Sequence, residues 1–207
     1  MTGHFDQHIK LRDLILEKHP KVIVEVGAGD GDNTQLLAHL HSLYPFKLYS
    51  ISDKKLDMEG VEFIVGISYE KLKEFKDGEI EFCIIDTDHN YWTLWMELSA
   101  VMPKMKEGGL VVFHDVETFY YNTGSAGSYW DGHEYPEKLI RDHVKFGGTG
   151  LALIDFLSAY RGYFKLIRWV PEHHGCAVIE RMTVKDTVVV LPGSSPVFAK
   201  PLEKVSA

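Results

Sequence analysis

The feature that most constrains this chain of 207 residues is the run Val22-Ile-Val-Glu-Val-Gly-Ala-Gly-Asp-Gly31, where a short apolar segment passes directly into a glycine-rich turn. Val22–Val26 has the length and β-branched content of a buried strand. Beyond the turn, Leu36, Leu37, Leu40 and Leu43 repeat at the spacing of an amphipathic helix, with Asn33 or Thr34 as its N-cap. Strand, glycine-rich turn and helix in this order let the backbone approach a ligand closely and aim a helix N-terminus into the site.

The same alternation runs through the chain. A lead-in helix is expected within Phe5–His19, stopped by Pro20. Strands are expected at Lys47–Ser52, Val61–Gly66, Ile80–Asp86 and Leu110–His114, with a short helix over Tyr69–Phe75 and a longer one over Asn90–Met105 that Gly108-Gly109 breaks. The apolar face of that longer helix is Tyr91, Leu94, Trp95, Leu98, Met102 and Met105, with Trp95 in the core and Trp92 available to a cleft. Helices resume at Pro136–Phe146 and Leu151–Tyr160, and Tyr163–Val170 with Cys176–Met182 reads as an antiparallel strand pair. The expectation is an α/β fold, a doubly wound seven-stranded sheet, mostly parallel with an antiparallel C-terminal strand pair. One domain over 1–182 is followed by a strand or tail over 183–207, with Thr187–Leu191 as its strand candidate.

Composition excludes several classes of partner. A formal charge of −8 repels a polyphosphate backbone, so nucleic acid is not expected. No run of about 18 apolar residues occurs, so no membrane partner is expected. The start carries neither a basic leader nor an apolar h-region, which makes the cytoplasm the expected location. Cys83 and Cys176 lie in apolar contexts that suit reduced, buried thiols.

The turn discriminates between nucleotides. A dinucleotide fingerprint counted from Gly27 and Gly29 needs its third glycine at Asp32, but the glycine is Gly31. Glu25, two places before Gly27, sets a carboxylate at the strand's end, which suits a cationic ligand better than a pyrophosphate. Glu25, Gly27, Gly29 and Gly31 match in full the first motif of the class I S-adenosylmethionine-dependent methyltransferases, Glu/Asp-x-Gly-x-Gly-x-Gly, and the chain resembles that family. The resemblance places the cofactor on Glu25, Gly27, Ala28, Gly29 and Gly31. It assigns the ribose hydroxyls to Asp53, which ends the second strand, with Ser52 as the alternative register. Where the family often has Gly-Asp-Ser after the third strand, this chain has Gly66-Ile67-Ser68, leaving the adenine contact to backbone amides of Ile67 or Ser68.

Two further segments narrow the likeness. Ile85-Asp-Thr-Asp-His-Asn-Tyr91 and Lys106-Glu-Gly-Gly-Leu-Val-Val-Phe-His-Asp115 are similar to stretches of a small O-methyltransferase-like branch related to catechol-type enzymes, so the likeness spans Val22–Val116. Asp86 and the His114-Asp115 pair would project from neighbouring carboxyl ends of the sheet, where ligands bind in this architecture. The resemblance makes Asp86 a cofactor residue as well and makes Asp86, His114 and Asp115 candidate ligands of a divalent metal, magnesium or manganese. The alternative reading is that both aspartates cap helices or order a loop, with His114 a hydrogen-bonded wall. Methyl transfer needs alignment and removal of a proton, for which Asp88 is the first candidate, with His89 and His114 as alternatives.

The aromatic stretch Phe119–Tyr135 is long for a plain connection and suits a lid, with His133 within reach of a metal or, equally, satellite packing. The function expected is O-methylation of a hydroxylated small molecule, of sugar, phenolic or natural-product type, by a chain that could form a homodimer. Asp86-Thr-Asp-His stands where base-amine methyltransferases carry Asn/Asp-Pro-Pro-Tyr. Competing readings are a hydroxylase-like or other enzyme on the same scaffold, and a catalytically silent cofactor-binding module; Glu25 counts against an aminopropyltransferase.

Overall fold

In the computed structural model, which describes residues 10–87, 91–116, 148–170 and 175–183, the apolar runs build one seven-stranded sheet with helices on both faces. The elements in chain order begin with α1 (Leu11–Lys18), β1 (Val22–Val26), α2 (Asp32–Leu43), β2 (Lys47–Ser52) and β3 (Glu62–Val65). Next come α3 (Ser68–Lys71), a 3-10 turn (Leu72–Glu74), β4 (Ile80–Ile85), α4 (Tyr91–Val101), a second 3-10 turn (Met102–Lys104) and β5 (Met105–His114). Helix α5 (Thr149–Ala159), β6 (Phe164–Val170) and β7 (Cys176–Arg181) complete the set.

The strand order is β3-β2-β1-β4-β5-β7-β6. Pairings from β3 through β5 are parallel, and β7 runs antiparallel to both β5 and β6. The doubly wound, mostly parallel sheet expected from the sequence is therefore the fold, with its antiparallel pair joined to the sheet through β7.

Period-two alternation sorts the strand residues between two cores. Ile23, Leu48, Phe82, Ile84, Leu110, Val112, Cys176 and Val178 face α1 and α2, meeting Leu11, Ile15, Leu36, Leu37 and Leu40. Val24, Val26, Ile51, Cys83, Ile85, Val111, Phe113 and Ile179 face the other way, toward Leu94, Leu98 and Val101 of α4 and Leu153 and Phe156 of α5. Both cysteines are buried and free, as their contexts imply.

Three local expectations are corrected. Helix α2 is capped by Gly31 in a left-handed conformation without a side-chain bond. Asn33 and Thr34, the expected caps, instead reach Asp86 and Glu25. The longer helix stops at Val101, and the segment carrying Pro103 turns as a 3-10 helix. Strand β5 starts at Met105, ahead of the Gly108-Gly109 pair, because the pairing shifts between Ile80↔Met105 and Phe82↔Leu110 and the glycines take up the irregularity. A side chain at Gly109 would meet the Glu81 carbonyl at 2.9 Å. The lid stretch Phe119–Tyr135, His133, the helix Pro136–Phe146 and the strand candidate Thr187–Leu191 lie outside the described residues. No described helix is long and apolar enough to cross a membrane.

Burial predicts where truncation hurts. Phe82 has no exposure and Leu43 is 68% exposed. Phe82→Ala should therefore lower the unfolding free energy by about 3–5 kcal/mol, and Leu43→Ala by less than about 0.5 kcal/mol. Urea denaturation of both variants checks the contrast.

Candidate functional site

The glycine-rich turn opens where the chain leaves β1 for α2, with β2 on one side and β4 on the other. Gly27 donates its amide to the Ile51 carbonyl at 2.8 Å, and Asp86 donates to the Val26 carbonyl at 2.9 Å, locking the turn between β2 and β4. Gly27, Gly29 and Gly31 have φ of 90°, 51° and 92°, a region that side chains disfavour. A Cβ on Gly27 would lie 1.9 Å from the Asp86 carbonyl oxygen, whereas one on Gly29 would meet nothing within 4 Å. Gly27 thus lets two strand ends touch, and Gly29 borders open space. Ala28 is buried, and its carbonyl accepts the Gly31 amide at 2.8 Å.

Strand alternation continues past the strand ends and splits the neighbouring polar groups between the two faces. Glu25 points to the α2 face and is 1% exposed. Its Oε2 accepts hydrogen bonds from Thr34 Oγ1 at 2.7 Å and Ser50 Oγ at 2.6 Å, while Oε1 is buried with no hydrogen-bond partner among the described residues. Burial, reinforced weakly by the charge of Asp86 and opposed by the two hydroxyls, raises the Glu25 carboxyl to about 7. Asp86 turns to the same side, where Asn33 Nδ2 lies 3.5 Å from its Oδ2. Thr87 turns to the opposite side and donates to Glu97 of α4 at 3.0 Å.

At the end of β5, His114 Nδ1 lies 2.8 Å from Asp115 Oδ2 and 3.7 Å from Asp86 Oδ1. One ligand-capable atom from each of Asp86, His114 and Asp115 lies within 4.8 Å of the other two. Burial pulls the imidazole down, but the hydrogen bonds and charges of Asp115 and Asp86 outweigh it and raise His114 to about 9. Asp115 is 3% exposed and holds φ at 57°, a strained conformation for a residue with a side chain. Its carbonyl accepts a hydrogen bond from Thr149 Oγ1 at the start of α5.

The structure thus gathers Glu25, Gly27, Ala28, Gly29, Gly31, Asp86, His114 and Asp115 around adjoining ends of β1, β4 and β5. Asp53 stands exposed at the end of β2, accepting from Ser52 Oγ at 3.1 Å. Ser68 opens α3, and its hydroxyl donates to Glu97 at 2.5 Å. Asp88 and His89 lie outside the described residues. Trp92 is buried, edge-on to Tyr69 at 5.3 Å, and Trp95 packs on Phe156. Sequence reasoning passed over Glu97, which has no exposure. The signal was available: Leu94, Glu97, Leu98 and Val101 fall at i, i+3, i+4 and i+7, so the acid sits on the apolar stripe.

Two outcomes follow. Gly27→Ala should destabilise the fold by about 3 kcal/mol or more through overpacking and backbone strain. Gly29→Ala should cost only about 1–2 kcal/mol of backbone strain; differential scanning calorimetry separates the two. For Glu25, a pKa raised in the folded state means that stability is greatest below pH 4.5 and declines as the pH rises through about 7. The decline amounts to about 3 kcal/mol at most. Glu25→Gln should flatten it in urea titrations at pH 5 and pH 8.

Comparison with known proteins bears on the domain and the fold. Residues 24–116 match a family model described as a methyltransferase domain. A search of curated proteins finds no match. Among solved structures, a caffeoyl-CoA O-methyltransferase-type protein from Staphylococcus aureus superimposes with a TM-score of 0.58 at 15% identity, covering 83% of this chain and 81% of its own. A Podospora anserina methyltransferase bound to S-adenosylhomocysteine (SAH) gives 0.57 at 15% identity, covering 83% and 76%. The mycinamycin-pathway methyltransferase MycE, in complex with Mg and SAH, gives 0.56 at 21% identity, covering 86% of this chain and 48% of its own. The present chain therefore spans about half the length of MycE. Over residues 24–116 the chain is thus similar to a methyltransferase domain, and its fold is that of these solved methyltransferase structures.

Proposed function

We propose that the protein transfers the methyl group of S-adenosylmethionine to a hydroxyl of a small molecule of sugar, phenolic or natural-product type, with a divalent cation held by Asp86, His114 and Asp115. The observation that carries the reading is the adjacency of the glycine turn and this carboxylate-imidazole cluster at the ends of three neighbouring strands. In an open α/β sheet that position is where ligands bind.

The turn Gly27–Gly31 would take the cofactor along its backbone, with Asp53 on the ribose hydroxyls and the buried Glu25 supplying negative charge behind a cationic methionine end. The donor set of two carboxylates and one imidazole fits a divalent cation and suits manganese at least as well as magnesium, which prefers oxygen alone. Such an ion, when bound, polarises and orients an acceptor oxygen as a Lewis acid. His114 must release its proton for its nitrogen to serve as a ligand. In the transfer the acceptor oxygen forms a bond to the methyl carbon as the carbon–sulfur bond breaks, yielding SAH. The acceptor's proton leaves to a base, for which Asp88 stands first, ahead of His89 and His114. A net charge of −8 favours a small acceptor over nucleic acid.

The test is incubation with methyl-labelled cofactor, manganese or magnesium, and a panel of catechols, sugars and hydroxylated metabolites. Label in an acceptor, lost on chelation and restored by metal, is the expected result. Binding of SAH with no turnover on any acceptor would favour a silent module, and calorimetry showing no binding of cofactor or product would sink the reading. Asp115→Asn and Asp88→Asn should each reduce turnover by about 100-fold or more while cofactor affinity changes little. An unaltered rate removes the residue from its role.

A further inference from the structure

Strands β3 and β4 are separated in the sheet by β2 and β1. Their carboxyl ends are therefore about 14 Å apart, three strand spacings. Yet the hydroxyl of Ser68, just past β3, and that of Thr87, just past β4, both donate to one carboxyl group, that of Glu97, at 2.5 and 3.0 Å. Helix α3 packs against α4 and β2, so the chain after β3 turns inward on the α4 face to make this bond. Tyr69, next to Ser68, packs edge-on against Trp92 of α4 at 5.3 Å, so the segment is fixed to α4 at a second point. Thr87 also faces the turn: a Cβ on Gly27 would lie 3.1 Å from its methyl group.

We infer that Glu97 is a positioning residue for the cofactor, a clasp that holds the Ser68 and Thr87 segments together as the α4-side wall of the crevice beside Gly27. The inference rests on the cofactor-binding reading given above. Glu97 touches no reacting atom in this account. It acts through two hydroxyls, and its own burial, with no exposure, keeps water from competing for them. Released from Glu97, Ser68 would move with the start of α3, and Thr87 would no longer be held against the turn.

The test compares SAH binding by calorimetry, thermal unfolding and amide exchange in the wild type, Glu97→Met and Glu97→Gln. Methionine fills similar volume without accepting either hydroxyl, whereas glutamine retains polar atoms for both. The expected result is that Glu97→Met, in its folded state, binds SAH about tenfold more weakly or worse, with faster exchange at Ile67–Tyr69 and at Asp86 and Thr87. Glu97→Gln should recover most of the affinity. A purely structural role would lower the melting temperature and leave the affinity of the folded protein unchanged, and that result overturns the inference. If Glu97→Met does not fold, Ser68→Ala, Thr87→Val and their combination decide: a double variant no weaker than the worse single supports a shared clasp, and additive losses overturn it. A wild type that binds no SAH would remove the cofactor reading itself, and the clasp with it.

Discussion

The contact of Gly27 with the Asp86 carbonyl is the constraint on which the rest of the site depends. β1 pairs in parallel with β2 on one side and β4 on the other, and the backbone turns away from the sheet at Gly27. Because no Cβ stands between them, the β1 and β4 ends meet within van der Waals reach. This brings Asp86 to the turn, and β5, the next strand, brings His114 and Asp115 alongside. A substitution at Gly27 would therefore act on both halves of the site at once.

Two buried carboxyl groups, Glu25 and Glu97, serve the two faces of the sheet in parallel ways. Each lies at or below 1% exposure, and each accepts from two hydroxyls on separate segments. Burying a carboxyl group is costly unless hydrogen bonds replace its water. Hydroxyls from Thr34 and Ser50 on one face, and from Ser68 and Thr87 on the other, offset that cost in part. The arrangement converts a local expense into a geometric tie, because the group is satisfied only when both segments are in place. The two ties differ in what they join. Glu25 anchors α2 and β2 behind the turn, and Glu97 joins the segments that follow β3 and β4.

Much of the fold was legible in the sequence because its central parallel strands β1 and β4 and most of β5 are buried on both faces and appear as continuous apolar runs, with glycines marking the turns. The Glu25–Gly31 turn and the Asp86, His114 and Asp115 positions were readable because strand ends in such sheets converge, and the spacing of motifs located those ends. What escaped depended on tertiary choice. Asn33 and Thr34 have the chemistry of N-caps, but the left-handed Gly31 starts the helix ahead of them, which puts both inside its first turn with their donors on Asp86 and Glu25. The start of β5 was misplaced because Gly108 and Gly109 act as breakers in isolation, and only pairing with β4 turns them into an irregularity within a strand. Glu97 was hidden by its type, since a glutamate on a helix is ordinarily solvated.

The insertion of β7 between β5 and β6 explains why the carboxylate-imidazole cluster at the end of β5 is enclosed. With β4 on one side and β7 on the other, β5 is an internal strand, and its terminal pair His114↔Cys176 brings a fully buried thiol opposite the imidazole. Asp115 follows into the same enclosed corner, and the Thr149 hydroxyl fixes its carbonyl to the start of α5. In such surroundings charges interact more strongly than at an exposed strand end. That is why one imidazole and two carboxylates are strongly coupled there, while Asp53, at the open end of β2, stays solvated. The sheet thus grades its carboxyl edge from a wet, hydrogen-bonding end near β2 to an enclosed, strongly electrostatic end at β5. A ligand spanning that edge would have its polar hydroxyls at the first and its reacting atoms at the second.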